Sequence, residues 1–330
     1  MIPRLNISFP FRRQLQFWCG KEYEPREGEY LLNHARTGIV MALRASLPNG
    51  GRVGVVAYNC HSVANAVANA GCEPFFVDIT DKLTIDVKSV PEDMDAIVVT
   101  NLFGIRNDIA AIRKRLPKAI IIVDNAHGYG LPVEGDFTVY SINQGKFPAL
   151  GCGGLLVINL KSAIINHKSQ IDAMYELLPA YDVLGQVKLF CSMLIKAIAY
   201  SGLCYWLVMR MKKSAKTEVQ EKVTMRKMAP GIRRLYNAWL PSTEKEIEKQ
   251  RRNAEKIEGA IVSDNGFMAI VRTDDPAMLK AEFAKRGVET ETHFKNAIAW
   301  AEQFGYKPSS CPQAEELTTK LLMIPTYKSI

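Results

Sequence analysis

The chain has 330 residues, 48% hydrophobic and 23% charged, which is enough apolar material for a large core and excludes a disordered protein. A formal charge of +8 and a pI near 9.0 favour anionic partners, such as a nucleotide diphosphate or an acidic membrane surface, yet no basic-aromatic motif of a nucleic-acid binder stands out. The seven cysteines lack paired C-x-x-C spacing and the start MIPRLNISFPFRR lacks a continuous apolar signal core, so the cytoplasm is the expected compartment and no metal is expected.

In chain order, His34-Ala35-Arg36-Thr37-Gly38 opens the apolar-periodic segment GIVMALRASL, a helix start. Amides at Thr37 and Gly38, with the Thr37 hydroxyl, stand where a helix N-terminus meets an anion; an ordinary N-cap is the alternative for Thr37. Gly51 to Ala57, Glu73 to Ile79, Ala96 to Thr100 and Ala119 to Val123 read as strands, separated by the periodic stretches HSVANAVANAG and NDIAAIRKRL. Crossovers of this length give parallel pairing in an α/β fold. Cys60, Cys72, Cys152, Cys191 and Cys204 mostly sit in apolar surroundings and read as small core residues.

Ala119 to Val123 has the composition of a strand buried on both faces, so Asp124 should emerge at its carboxyl end, where open sheets place ligand sites. Val139-Tyr140-Ser141 is a second short β-type run, and Lys146 follows it, ahead of Gly151, Gly153 and Gly154. Leu189 to Met209 is 21 residues long with Lys196 its only charge. Spanning a bilayer would put Lys146 and the C-terminal region on opposite sides and cost about 2.5 to 3.5 kcal/mol for a central lysine. At 100° per residue Lys188, Lys196, Arg210 and Lys213 share one arc opposite a broad apolar face. An amphipathic helix over about 187–213 therefore packs on protein, a dimer partner included, or lies in the plane of a membrane. Near Pro241 the charged stretch STEKEIEKQRRNAEKIEGAI reads as a solvated helix leading into a smaller α+β domain, which sets expected bounds of 1–240 and 241–330. Gly266 to Arg272 is its expected strand and Pro276 to Arg286 its next helix.

A lysine and an aspartate on neighbouring strand ends suit pyridoxal phosphate: the amine binds its aldehyde carbon, and the carboxylate keeps the ring nitrogen protonated. Taken singly, each reads equally as a solvated acid or a surface lysine. Together with ARTGI, ANAVANAGCEPFFVDI, VTNLFGI, VDNAHG, SINQGK and CPQAEELTTKLLMIPTY in that order, they resemble the DegT-type nucleotide-sugar aminotransferases among the fold-type I pyridoxal-phosphate enzymes, from about Leu32 to Tyr327.

That resemblance implies a mainly parallel sheet sandwiched by helices, a smaller C-terminal α+β domain, and a homodimer. It makes Lys146 the anchor and proton carrier and Asp124 the partner of the ring nitrogen, with His127 beside the ring. Phosphate contacts fall on Thr37 and Gly38, on Ser141, and on Arg36, which takes the family's usual glycine position and either adds charge or faces solvent. Cys60 stands where the family stacks an aromatic ring, leaving Tyr58, His61 or the cysteine itself for that place. Met225 replaces the asparagine that reaches the neighbouring subunit's phosphate, and His293 either touches substrate or is exposed without a role. The implied reaction moves an amino group from an amino acid such as glutamate to a nucleotide-linked keto sugar for glycan synthesis. A different reaction of the same cofactor, such as dehydration, or a non-catalytic binding relative, stays open.

Overall fold

The computed structural model describes residues 2–3, 6–162, 167–200 and 219–329. Seven strands form its larger sheet: β1 (Glu29–Leu32), β2 (Arg52–Val56), β3 (Glu73–Val77), β4 (Ala96–Thr100), β5 (Ile120–Asn125), β6 (Phe137–Ser141) and β7 (Gly154–Ile158). Their spatial order is β1-β7-β6-β5-β4-β2-β3. The five from β2 to β6 run parallel, while β7 pairs antiparallel with β6 and β1 antiparallel with β7.

Every residue of β4 and β5 is buried, because each strand serves two cores. Ala96, Val98, Ile120 and Ile122 pack under the helices Ala35–Ser46 and His61–Asn69, whereas Ile97, Val99, Ile121 and Val123 feed the core on the opposite face. Chain order names these helices α1 (Phe11–Trp18), α2 (Ala35–Ser46), α3 (His61–Asn69), α4 (Ile109–Arg115), α5 (Lys168–Glu176) and α6 (Val183–Ala199). A side chain at Gly154 would meet the Ala35 nitrogen at 2.2 Å, so β7 runs directly against the start of α2.

A second sheet, all antiparallel, contains β8 (Ala260–Val262), β9 (Met268–Arg272), β10 (Glu291–Thr292) and β11 (Leu321–Pro325) in the order β10-β11-β9-β8. Polar bonds tie it to the larger sheet. The Asp78 carboxylate, just beyond β3, accepts from the Gln313 and Ala314 amides at 3.1 and 2.8 Å, capping the helix Pro312–Lys320. Asn265 Nδ2 donates to the His127 and Tyr129 carbonyls at 2.8 and 3.1 Å.

Two boundaries differ from the sequence reading, and a third lies partly outside the described residues. β5 runs on to Asn125, because Asp124 and Asn125 keep their pairing with Val139 and Tyr140 and Asn101 Nδ2 donates to Asn125 Oδ1 at 2.7 Å. The charged helix ends at Ala254, and the apolar Ala260–Val262 beyond it pairs as β8. The amphipathic helix is described only over Val183–Ala199; Cys204, Arg210 and Lys213 lie outside the described residues. The strands β1 and β7 and the helix α1 carry no signal that singled them out in the sequence.

Candidate active site

A cavity of about 410 Å³ opens where β4, β5 and β6 end, a volume in the range of cofactor pockets. The register places Thr100 beside Asp124 and Asp124 beside Val139, so the strand ends present Thr100, Asp124 and Ser141 to it. Ala35 and Arg36 reach it from the start of α2, Cys60 and His61 from the start of α3, and Phe294 from the segment after β10.

Asp124 is 3% exposed. Its Oδ1 accepts from the Ala126 amide at 2.9 Å, and its Oδ2 from the Thr100 hydroxyl at 3.4 Å. Burial nevertheless pushes this carboxyl above the ordinary aspartate range. Lys146 feels the opposite pull: desolvation pushes its amine below the ordinary lysine value, with Cys60 and Asp124 opposing.

His127 bears on the amine's state. Its Nδ1 accepts from the Phe103 amide at 3.1 Å, so the proton of the neutral ring sits on Nε2. Nε2 lies 2.7 Å from Lys146 Nζ. An N–H donating across that distance needs a lone pair on the lysine, which agrees with the direction in which burial moves its amine. Burial first, then Lys146 and His293, keep the imidazole itself well below its usual value. Phe103 at 5.6 Å and Phe294 at 6.0 Å are both nearly parallel to the ring, and at 6.1 Å from each other they form a triangular cluster with it. Phe103 and Phe294 adopt positive φ, 56° and 51°, a conformation that costs a non-glycine residue energy and marks a constrained site.

At the other end Ala35 and Arg36 from the start of α2, Ser141, Asn143 and Glu221 line the cavity, a helix N-terminus and a cation being groups that can meet an anion. Arg36 is paired with Glu221 at 3.2 Å, so it is turned toward the cavity wall and not simply into solvent. His34 joins this end by its Nδ1, 3.1 Å from Asn143 Nδ2.

Three expected contacts are displaced. The Thr37 hydroxyl donates to Asn33 Oδ1 at 2.8 Å and its amide to the His34 carbonyl at 3.2 Å, so both polar groups are spent inside the fold. Gly38 is buried against Val139 and Leu156, where a Cβ would stand 2.9 and 3.1 Å away; it lets α2 lie close on the sheet and does not line the cavity. Tyr58 is fully buried, and its hydroxyl donates to the His293 carbonyl at 2.7 Å, tying the two sheets together instead of facing a ligand. Cys60 and His61 keep their places on the cavity wall. Met225 packs against the core under α2, while Asn33 holds its neighbours by bonds to the Thr224 carbonyl and the Arg226 amide. His293 belongs to the aromatic cluster with Phe103, His127 and Phe294.

His34, Asn143, Glu221 and Phe294 were not singled out in the sequence. Asn143 lies within SINQGK and Phe294 follows His293, so both were adjacent to residues that were; nothing local marks Glu221, which arrives from far along the chain.

A second cavity of about 440 Å³ borders Lys146 on another side. Arg13, Lys245 and Lys249 give it positive charge and Trp239, Phe267 and Tyr327 give it aromatic walls. Burial lowers the pKa of the Arg13 guanidinium, which Glu246 partly offsets.

Residues 31–168 match the model of the DegT/DnrJ/EryC1/StrS aminotransferase family. Over that stretch, less than half of the chain, it is similar to that family. Its aminotransferases use pyridoxal phosphate. A pleiotropic regulatory protein of Geobacillus stearothermophilus is 25% identical over 320 residues, covering 88% of this chain and 78% of that protein. The fold is similar to the sugar aminotransferase CalS13 from Micromonospora echinospora, with TM-score 0.71 at 14% identity over 99% of this chain and 95% of that one. It is likewise similar to DesI, solved in the presence of its TDP-sugar product, with TM-score 0.65 at 18% identity over 90% and 75% of the two chains.

The residues present fit that cofactor. A buried carboxyl with one short and one long donor has capacity left for a cationic ring N–H, the desolvated amine is suited to a carbonyl carbon, and the end lined by Arg36, Ser141 and the start of α2 suits a phosphate.

The site also predicts a pH dependence of folding. Burial, with Arg36 adding, pushes His34 from 6.5 down to about 4, against the bond from Asn143. Between those values the unfolded chain binds a proton that the native state refuses, so stability falls as pH drops from 6.5 to 4, by up to about 1.4 kcal/mol per pH unit. In His34→Gln, denaturant unfolding followed across this window should show a slope shallower by about one proton. An unchanged slope would mean that His34 titrates normally in the native state.

Proposed function

We propose that this protein is a transaminase that moves an amino group from an amino acid, glutamate being the expected donor, to a nucleotide-linked keto sugar. The observation that carries the reading is the Lys146 amine, its pKa lowered by desolvation, on one cavity with the buried Asp124 carboxyl. Bound there, pyridoxal phosphate supplies a carbonyl carbon that takes up amines and a ring that accepts electrons. Lys146 holds it through Nζ and, when free, carries a proton on that same nitrogen, a task that needs an amine already unprotonated near neutral pH. Asp124, oriented by Ala126 and Thr100, holds the ring nitrogen. Ser141, Arg36 and the start of α2 hold the phosphate, with Cys60 and His61 beside the ring.

The second cavity supports the acceptor class, since three cationic side chains beside aromatic faces are what a nucleoside diphosphate requires. A homodimer is part of the proposal, by likeness to fold-type I enzymes, and sedimentation of the active protein tests it. Among the described residues no helix is long and apolar enough to cross a membrane.

Lys146→Ala should lose the covalent pyridoxyl adduct that borohydride traps in the wild type; an adduct in the variant would refute the anchor. Asp124→Asn should retain cofactor but turn over about 10² to 10³ times more slowly, as when a single electrostatic partner is removed, and near-normal turnover would contradict its role. Replacing Lys245 and Lys249 together by alanine should raise KM for a nucleotide-linked keto sugar severalfold and leave the glutamate half-reaction unchanged. Equal effects on both halves would remove the second cavity from acceptor binding.

A further inference from the structure

Two helices, of which only Arg13 of α1 reaches a cavity described above, expose an apolar face. α1 and α6 lie against each other through Phe190, whose ring meets those of Phe9, Phe17 and Trp18 at 5.4 Å each. Beneath them Met193 is buried and Leu189, Leu194 and Ala197 pack on the core, so one side of α6 is accounted for. The other side is not.

On α1, Phe11, Leu15 and Trp18 are 72, 52 and 41% exposed at i, i+4 and i+7, which is one stripe. On α6, Leu184, Val187, Ile195 and Ile198 are 59, 39, 65 and 54% exposed, and the exposed Cys191 completes their three-and-four spacing. That cysteine was expected in the core. Neither helix contains an aspartate or glutamate. Their charges are Arg12, Arg13, Lys188 and Lys196; Arg13 turns inward to the Ala149 carbonyl, and the other three are exposed. At 100° per residue Arg12 flanks the α1 stripe, Lys188 borders the α6 stripe, and Lys196 lies about 80° further round on the same side. The nearest acid, Asp182, is spent on the N-cap, accepting from the Gly185 amide at 2.7 Å.

Charge decides what covers this face. A second copy seated on it would bring Arg12, Lys188 and Lys196 of both copies together with no acid from either helix to offset them. A bilayer rich in anionic lipid supplies the missing negative charge to the cations and apolar depth to the rings and aliphatic chains between them. We propose that α1 and α6 together form a docking face by which the protein lies peripherally on an anionic membrane surface, with Phe11, Leu15 and Trp18 entering beside the α6 stripe.

The test is cosedimentation of the full-length protein with phosphatidylcholine vesicles, with and without phosphatidylglycerol. Binding is expected at low salt to the anionic vesicles, weakened at least about tenfold by Lys188→Glu with Lys196→Glu or by high salt. Leu15→Ser with Ile195→Ser should weaken it comparably while leaving aminotransferase turnover and the thermal unfolding temperature unchanged, because both side chains face outward. Failure of the wild type to pellet with anionic vesicles at low salt would overturn the proposal. So would stripe variants that bind vesicles normally but change the oligomeric state, which would make the face a subunit contact.

Discussion

Desolvation of ionisable groups at the strand ends is the constraint on which this structure depends. An amine and a carboxyl that would each be charged in water are brought into one cavity, and burial drives them in opposite directions. That environment costs folding energy, and the rest of the fold supports it. The pairing of β4, β5 and β6 fixes Thr100 and Asp124 side by side, and β7 seats the start of α2 against the sheet so that its N-terminus faces the same space. His127 is locked from two directions, by a backbone amide on Nδ1 and by two parallel aromatic rings, which leaves Nε2 to meet the lysine.

The smaller sheet completes the site from above. Tyr58 and Asn265 bond across to backbone carbonyls, and Asp78 caps a helix on the far side, so Phe294 is delivered to the cavity by contacts made well away from it. The function of Tyr58 is therefore to hold the wall that a ligand-facing residue would have occupied. A similar exchange occurs at α2: Thr37 and Gly38 are consumed by helix packing, and the residues that line the cavity are two positions earlier, Ala35 and Arg36, together with Ser141.

Much of this was legible in the sequence, because the strongest signals are local. A continuous apolar run ending in an acid can hardly be other than a doubly covered strand opening on a site, and a lysine between a β-type run and several glycines has few other uses. Side-chain direction was not legible. Whether Thr37 points at a ligand or at Asn33 depends on how the helix rolls on the sheet, and Tyr58 depends on a carbonyl more than 200 residues away. The short strands β1 and β7 have the same difficulty, since each is defined by its antiparallel partner. The segment after Pro179 shows the reverse case: its amphipathic pattern was plain, yet only packing could show that α6 turns one side to the core and that α1 extends the other.

The account is tested most directly by the ionisation of Lys146 in the cofactor-free protein. Reductive methylation with formaldehyde across pH, with each lysine quantified by peptide mass spectrometry, reads it without reference to turnover. Lys146 should react faster than the surface lysines where those are still protonated, its rate reaching half-maximum below the ordinary value of 10.5. If Lys146 instead follows the surface lysines toward 10.5, or stays unmodified while they react, its amine is not the accessible group of lowered pKa on which the site is built.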